Sequence, residues 1–282
     1  WHVREALQSH ARRFGAPPAG MWPAEGSVSP EALAVLASEG VRWAASDEGV
    51  LLRSLPDGTS RLRALYRPWR VDAGPGGELS MLFRDRSLSD VIGFTYAKVA
   101  ARHAAQDFTT HVRAVGEAWA AERQPGPATV GVFLDGENAW EHYPASGHDF
   151  LDQLYATLEA SAEIETVTMS EAVAGAPGPA IPRIHSGSWI EASYRIWIGH
   201  AEDRQAWTAL GAARDQLEAA AQAGAVEPER LERARRHLYA AEGSDWYWWF
   251  GDDFAPDQAA EFDSLFRGQV ISLGKIFRAK SW

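Results

Sequence analysis

Thr129 to Tyr143, TVGVFLDGENAWEHY, is the stretch on which the reading of this chain turns. Residues Thr129 to Leu134 are β-branched, apolar or glycine, the composition of a strand buried on both faces, and the run stops abruptly at Asp135, Gly136 and Glu137. Acidic chemistry is thereby placed at the carboxyl end of a core strand. In α/β architectures that end meets ligands, because the strand holds its last residue rigidly while the loop beyond is free to vary. A bare Asp-Gly is ordinarily a turn. Here Glu137, Trp140, Glu141, His142 and Tyr143 add two more carboxylates, an imidazole and two aromatic rings to the same short loop.

Working outward, the same rhythm recurs upstream. The run around Gly20, Met21 and Trp22 delivers Glu25, Gly26 allows a sharp turn, and Ser29 with Pro30 reads as N-cap and first position of a helix that closes at Gly40. The run from Gly40 to Ala45 ends in Ser46, Asp47 and Glu48, and the run from Leu79 to Phe83 ends in Arg84 and Asp85 before a long, interrupted helical pattern from Ser89 to Glu122. Strand, charged residue, helix, repeated, predicts a parallel sheet or barrel with helices outside and a site on the strand-end face. A basic helix from Trp1 to Phe14 precedes this, ended by Gly15 and two prolines.

After the acidic loop, Phe150, Leu151, Leu154, Tyr155 and Leu158 recur at helical spacing and predict an inward face. Ala174 to Pro182, rich in Ala, Gly and Pro, reads as a connector. Beyond it the chain changes character. Trp207, Leu210 and Leu217 mark one helix, Pro228 opens another, and Phe262, Leu265, Phe266, Val270, Leu273, Ile276 and Phe277 mark a third. The expected class is α/β, a parallel sheet or (β/α) barrel over residues 1–180 followed by a C-terminal helical region over 181–282 packed on it.

Composition narrows the function. The 282 residues are 46% hydrophobic, enough for a substantial core. A net charge of −11 argues against nucleic acid or an anionic membrane as the main partner, and a neutral substrate fits better. Without cysteine, disulfides and thiolate metal sites are excluded. No apolar run approaches the roughly 18 residues of a membrane span, and a cytoplasmic location is expected. Thirteen tryptophans supply both core filler and flat faces suited to sugar rings.

Two carboxylates on neighbouring strand-end loops suit the cleavage or transfer of glycosides, one at the anomeric carbon and one at the leaving oxygen. The histidines are not at ligand spacing, with neither H-x-x-x-H nor H-E-x-x-H, and no catalytic metal is expected. A Ser nucleophile has no G-x-S-x-G to carry it. A metal-dependent hydrolase would require a metal triad that the sequence does not display.

The ordered segments Gly20-Met21-Trp22-Pro23-Ala24-Glu25-Gly26-Ser27-Val28-Ser29, Ala45-Ser46-Asp47-Glu48, Phe83-Arg84-Asp85, Leu88 to Phe94 and Phe133-Leu134-Asp135-Gly136-Glu137-Asn138 resemble glycoside hydrolase family 57. So do Gly187-Ser188-Trp189-Ile190, Trp197-Ile198-Gly199-His200 with Glu202-Asp203, and Ser244 to Trp249. The resemblance implies an incomplete seven-stranded barrel, a helical region after it, and a retaining mechanism on α-glucan oligo- or polysaccharides without metal or organic cofactor. It implies Glu25 as nucleophile and Asp135 as general acid/base, with Glu137 in support. Trp22, Asp47, Glu48, Arg84, Asp85, Trp189 and Trp246 are candidate substrate contacts, and His142 and His185 are structural candidates. The family's first motif, a His-Gln-Pro on the first strand, and a second near it do not occur in this sequence, so a fragment beginning after the first barrel strands is expected. An inactive carbohydrate-binding or regulatory derivative is the competing reading.

Overall fold

The computed structural model describes residues 1–136, 140–175, 178–224, 226–254 and 257–278. The chain divides into two compact units, one running from Val3 to Ala192 and the other from Ser193 onward.

In the first unit, helix α1 (His2–Phe14) ends at Gly15, whose φ of 83° is the left-handed cap that glycine adopts without a Cβ clash. Strand β1 (Gly20–Met21) leads through a short 3₁₀ turn to α2 (Pro30–Ser38), which opens as its sequence predicts: Ser29 Oγ accepts from the Ala32 amide at 3.1 Å and proline stands in the first turn. Next come β2 (Trp43–Asp47), α3 (Glu48–Ser54), α4 (Arg61–Leu65), β3 (Trp69–Asp72), β4 (Glu78–Arg84) and α5 (Arg86–Asp90). A π-helical turn over Val91–Thr95 and a 3₁₀ turn interrupt the helical pattern before α6 (Ala101–Ala121), and α7 (His148–Glu159), α8 (Met169–Gly175) and β5 (Ala180–Ile181) complete the unit.

The strands form one mixed sheet in the order β1-β2-β4-β3-β5. β1, β2 and β4 are parallel, with Trp43 opposite Ser80 and Asp47 opposite Arg84. Their carboxyl ends therefore lie along one edge, and the charged residues that follow them collect there. Alternate faces of β2 and β4 are both buried, as the continuous apolar runs require, with Ala44, Ala45, Leu79 and Met81 fully enclosed. Each large side chain so enclosed contributes about 1.5–3 kcal/mol. A second apolar layer joins α5, α6 and α7 through Leu88, Ile92, Phe108, Phe150, Leu154 and Leu158.

Four expectations change. Residues 129–134 do not form a regular strand buried on both faces: only Gly131 is buried, and the segment joins the sheet through a single parallel bridge to Arg84. The reason lies in β4, whose first half already pairs antiparallel with β3, from Asp72 opposite Glu78 to Trp69 opposite Met81, leaving only its last residues for this segment. β3 also makes the sheet mixed, where a uniform β-then-α rhythm predicted parallel strands throughout. The connector contains β5, which pairs parallel with β3 through Arg70 and Val71. Tyr155, assigned to the inward face of α7, is 57% exposed.

The second unit is helical: α9 (Arg195–Ile198), α10 (Ala201–Gln222), α11 (Pro228–Ala241), α12 (Ser244–Trp248) and α13 (Ala259–Arg278). Its interior is built by Leu210, Leu217, Leu238, Tyr247, Phe266 and Leu273, with the Trp207 indole stacked on Tyr247 at 3.8 Å between ring centres. Among the described residues no helix is long and apolar enough to cross a membrane.

Candidate active site

Glu25 sits in the turn after β1 with φ 57° and ψ 24°, a left-handed conformation rare for a residue with a side chain. Such a backbone costs about 1–3 kcal/mol and persists where its surroundings over-determine it. Here they do. The Gly26 amide donates to Pro23 O at 2.9 Å, the Ser27 amide to Ala24 O at 3.0 Å, and the buried Ser46 hydroxyl to Gly26 O at 2.6 Å. Position 26 must be glycine, since its φ is also 57° and a Cβ there would come within 2.7 Å of the Trp22 ring.

Trp189, from the segment between β5 and α9, holds Glu25 from across the turn. Its indole N–H donates to Glu25 Oε2 at 2.7 Å and its amide donates to Glu25 O at 3.0 Å. Trp22 meets the Trp189 ring edge-on, with centres 5.4 Å apart and planes at 64°. The other face of this aromatic group is Phe133, stacked on Trp22 at 5.4 Å and 15°. Phe133 stands two residues before Asp135, so Trp22 and Phe133 bring together the two segments that carry the predicted acids. Glu25 and Asp135 are both half-buried.

Arg84, only 6% exposed, ties these parts to the sheet. Its Nε donates to Phe133 O at 3.0 Å, its guanidinium lies 5.1 Å from the centre of the Trp189 ring, and it pairs with Asp90 and, at 3.6 Å, with Asp47. The Asp135 segment has two further ties: Asp85 N donates to Gly131 O at 2.8 Å and Phe133 N to Ser89 Oγ at 3.2 Å.

The remaining predicted acids form ion pairs with Arg84, Arg86 and Arg61. Asp47 is fully buried, caps α3 by accepting from the Gly49 amide at 2.8 Å, and pairs with Arg86, whose guanidinium pKa is raised by that hydrogen bond. Glu48 receives a two-pronged contact from Arg61 and the Arg86 amide at 3.3 Å. Asp85 accepts from the Leu88 amide at 3.0 Å and the Tyr66 hydroxyl at 2.7 Å, and lies 3.1 Å from Arg61. Burial pushes the Tyr66 phenol well above its usual range, and its bond to Asp85 pushes it further. Burial opposes the charge on Arg61, but Glu48 and Asp85 outweigh it and the net shift is upward. The sugar-hydroxyl contacts expected of Asp47, Glu48 and Asp85 would have to compete with these protein donors.

Glu137 lies outside the described residues. Trp246 belongs to the second unit, where its indole N–H donates to Ala240 O at 2.7 Å and its ring packs against Phe262 and Phe266. The Tyr143 hydroxyl donates to Ile92 O at 2.6 Å, and the His185 ring contacts Ala192 O at 2.9 Å. Among the described residues one group offers converging metal-ligand atoms, His200, Asp252 and Asp253 of the second unit, within 4.8 Å of one another. Asp253 is paired there with Arg195 at 2.9 Å as well as with His200 at 2.8 Å. Sequence reasoning missed Phe133 as a site residue, because it read as one more apolar residue of a strand.

This is an α/β protein of the incomplete β/α-barrel type, with charged side chains gathered at the carboxyl ends of its parallel strands. The profile of Glycosyl hydrolase family 57 matches residues 1–185, and the chain belongs to that family. No curated protein matches the sequence. Among solved structures, the fold is similar to an α-amylase from Thermotoga maritima (16% identity, TM-score 0.73, covering 97% of this chain and 62% of that one). It is similar also to a branching enzyme from Thermococcus kodakaraensis (15% identity, TM-score 0.75, 98% and 62%) and to a 4-α-glucanotransferase from Thermococcus litoralis (16%, 0.64, 99% and 45%). The chain thus spans less than two thirds of the length of each of these proteins.

Proposed function

We propose that this chain carries the acid pair of a retaining glycoside hydrolase or glucanotransferase acting on α-glucans, with Glu25 as nucleophile and Asp135 as general acid/base. The observation that carries the reading is the Trp22 to Phe133 stack, which joins the turn bearing Glu25 to the segment bearing Asp135. Family membership and the names of the structural relatives, an amylase, a branching enzyme and a glucanotransferase, support the substrate class. In the first half-reaction the Glu25 carboxylate attacks the anomeric carbon while the Asp135 carboxyl protonates the departing glycosidic oxygen. In the second, Asp135 takes a proton from water or an acceptor sugar hydroxyl, whose oxygen displaces Glu25. Trp22 and Trp189 wall the site, Arg84 joins the segment of Asp135 to the Trp189 ring that contacts Glu25, and Asp47, Glu48, Asp85 and Glu137 support it.

A retaining mechanism calls for the two carboxyl groups to approach to about 5–5.5 Å in the sugar complex, against about 6.5–9.5 Å for inversion. The test is to trap the intermediate with an activated fluorinated glucosyl donor and to sequence the labelled peptide. The label is expected on Glu25, and a label on Asp47 or Glu137 would reassign the nucleophile. Because the oxygens of Asp47 are engaged by Arg84, Arg86 and the Gly49 amide, turnover is expected to survive exhaustive chelation, and its loss with recovery on adding zinc or calcium would overturn the metal-free reading.

A further inference from the structure

We propose that Trp189 is a positioning residue for Glu25, its indole N–H orienting the carboxylate for attack, and that residues 187–192 form a clasp which keeps this donor in place. The inference rests on the reading of Glu25 as nucleophile. A sugar-stacking role was the natural expectation for this tryptophan, but its ring is already engaged on its face by the Arg84 guanidinium at 5.1 Å and at its edge by Trp22. What the ring offers is its N–H, placed 2.7 Å from Glu25 Oε2, within the range of a charge-assisted bond to a carboxylate.

The surrounding backbone is arranged around that contact. Val28 and Gly187 exchange two hydrogen bonds, at 2.9 and 3.0 Å, which set the segment against the Glu25 turn. The Trp189 amide then adds its bond to Glu25 O, so one residue grips both the side chain and the strained main chain of Glu25. Beyond it the chain turns back through two consecutive left-handed residues, Glu191 at φ 53° and Ala192 at φ 50°. That return is pinned: the His185 ring contacts Ala192 O at 2.9 Å while the His185 amide donates to Ser54 Oγ at 2.8 Å. Left-handed conformations in two successive residues with side chains are costly and mark a segment held by its neighbours for a purpose.

The chemistry favours such a donor. Holding Oε2 fixes the plane of the carboxylate, and with it the direction in which Oε1 faces. A hydrogen bond to the ionised form also lowers proton affinity, so Glu25 stays a nucleophile further into acid. The guanidinium over the indole face draws electron density from the ring and makes the N–H a stronger donor.

Trp189→Phe keeps a ring and removes the N–H. The acid limb of its kcat/KM profile is expected to move up by about one pH unit, with kcat reduced and KM little changed. A raised KM with an unmoved acid limb would make Trp189 a sugar platform and overturn the proposal. A second arm needs neither turnover nor that variant to fold: in ¹⁵N-indole spectra of the full chain, one indole N–H should titrate with pH, and that titration should vanish in Glu25→Gln. If no indole signal responds to Glu25, the contact does not exist in solution and the proposal fails. If the titration is present but no α-glucan is turned over, the pairing stands and the functional reading falls.

Discussion

The two segments that carry the predicted acids are held in opposite ways. The Glu25 turn is gripped from three directions: by its own 3₁₀ turn, by Ser46 from β2, and by Trp189 through main chain and side chain. The segment of Asp135 meets the sheet at one bridge and is otherwise tied through Arg84, Asp85, Ser89 and the stack of Phe133 on Trp22. This difference suits the division of labour. A nucleophile acts through one trajectory and gains from a fixed orientation. A general acid/base must give up a proton to one oxygen and take it back from another, and gains from being near its operating pH rather than from a single pose.

The largest expected effect separates the two acids directly. Glu25→Gln should lower turnover of every glycoside by more than about 10⁴-fold, since no covalent intermediate can form. Asp135→Asn should lower turnover of natural glucans by about 10²–10⁴-fold, yet with an activated fluoride donor its first step should survive and a glycosyl adduct should build up on Glu25. Intact-protein mass spectrometry detects that adduct. Equal loss of the first step in both variants would erase the asymmetry.

Arg84 touches both Phe133 O in the Asp135 segment and the ring of Trp189, which in turn grips Glu25, and its removal tests whether the two acids depend on a common support. Arg84→Met leaves Asp47, fully buried, with Arg86 as its remaining guanidinium partner. Breaking a buried pair from one side costs about 3–5 kcal/mol, to be read from denaturant unfolding. Arg84→Lys keeps a charge but loses the fork, so it should fall between the two. Stability within about 1 kcal/mol of wild type in Arg84→Met would show that the network around Asp47 is held by Arg86 and Gly49 without it.

How much of this was legible in the sequence follows from what local patterns encode. The strand ends at Glu25, Asp47 and Arg84 could be read, because an apolar run that stops at a charged residue is a local signal. Ser29, Pro30 and Gly40 marked α2 for the same reason, each acting on its own turn. The expected double burial of residues 129–134 failed because composition reports that a segment suits a sheet without reporting whether both edges find neighbours. β3 and β5 were missed: β5 is two residues of an Ala- and Pro-rich stretch, and it pairs across 110 residues or so of chain with a strand that lacks a clean apolar run. The grip of Trp189 on Glu25 spans 164 residues and leaves no periodic trace at either end. Its segment could be matched to a family motif, but the direction of its N–H could not.

The smallest effects sharpen the comparison most, because each segment has its own buried serine. Ser46 donates its hydroxyl to Gly26 O at 2.6 Å, and Ser89 accepts from Phe133 N at 3.2 Å; both residues are fully buried. Replacing either by alanine leaves a buried backbone group without that partner, at a cost of about 1–3 kcal/mol, with the shorter bond at Ser46 expected at the upper end. The kinetic consequences should differ in kind. Ser46→Ala loosens the nucleophile, which both activated donors and natural glucans require, so both should slow by a similar factor of a few. Ser89→Ala loosens the segment of the proton donor, which an activated leaving group scarcely needs, so natural glucans should slow several-fold while an activated donor's first step is unchanged. The measurement is the ratio of the two rates in each variant against wild type. A ratio shifted in Ser46→Ala and constant in Ser89→Ala would reverse the assignment of the two carboxylates, since the turn after β1 would then be acting as the acid.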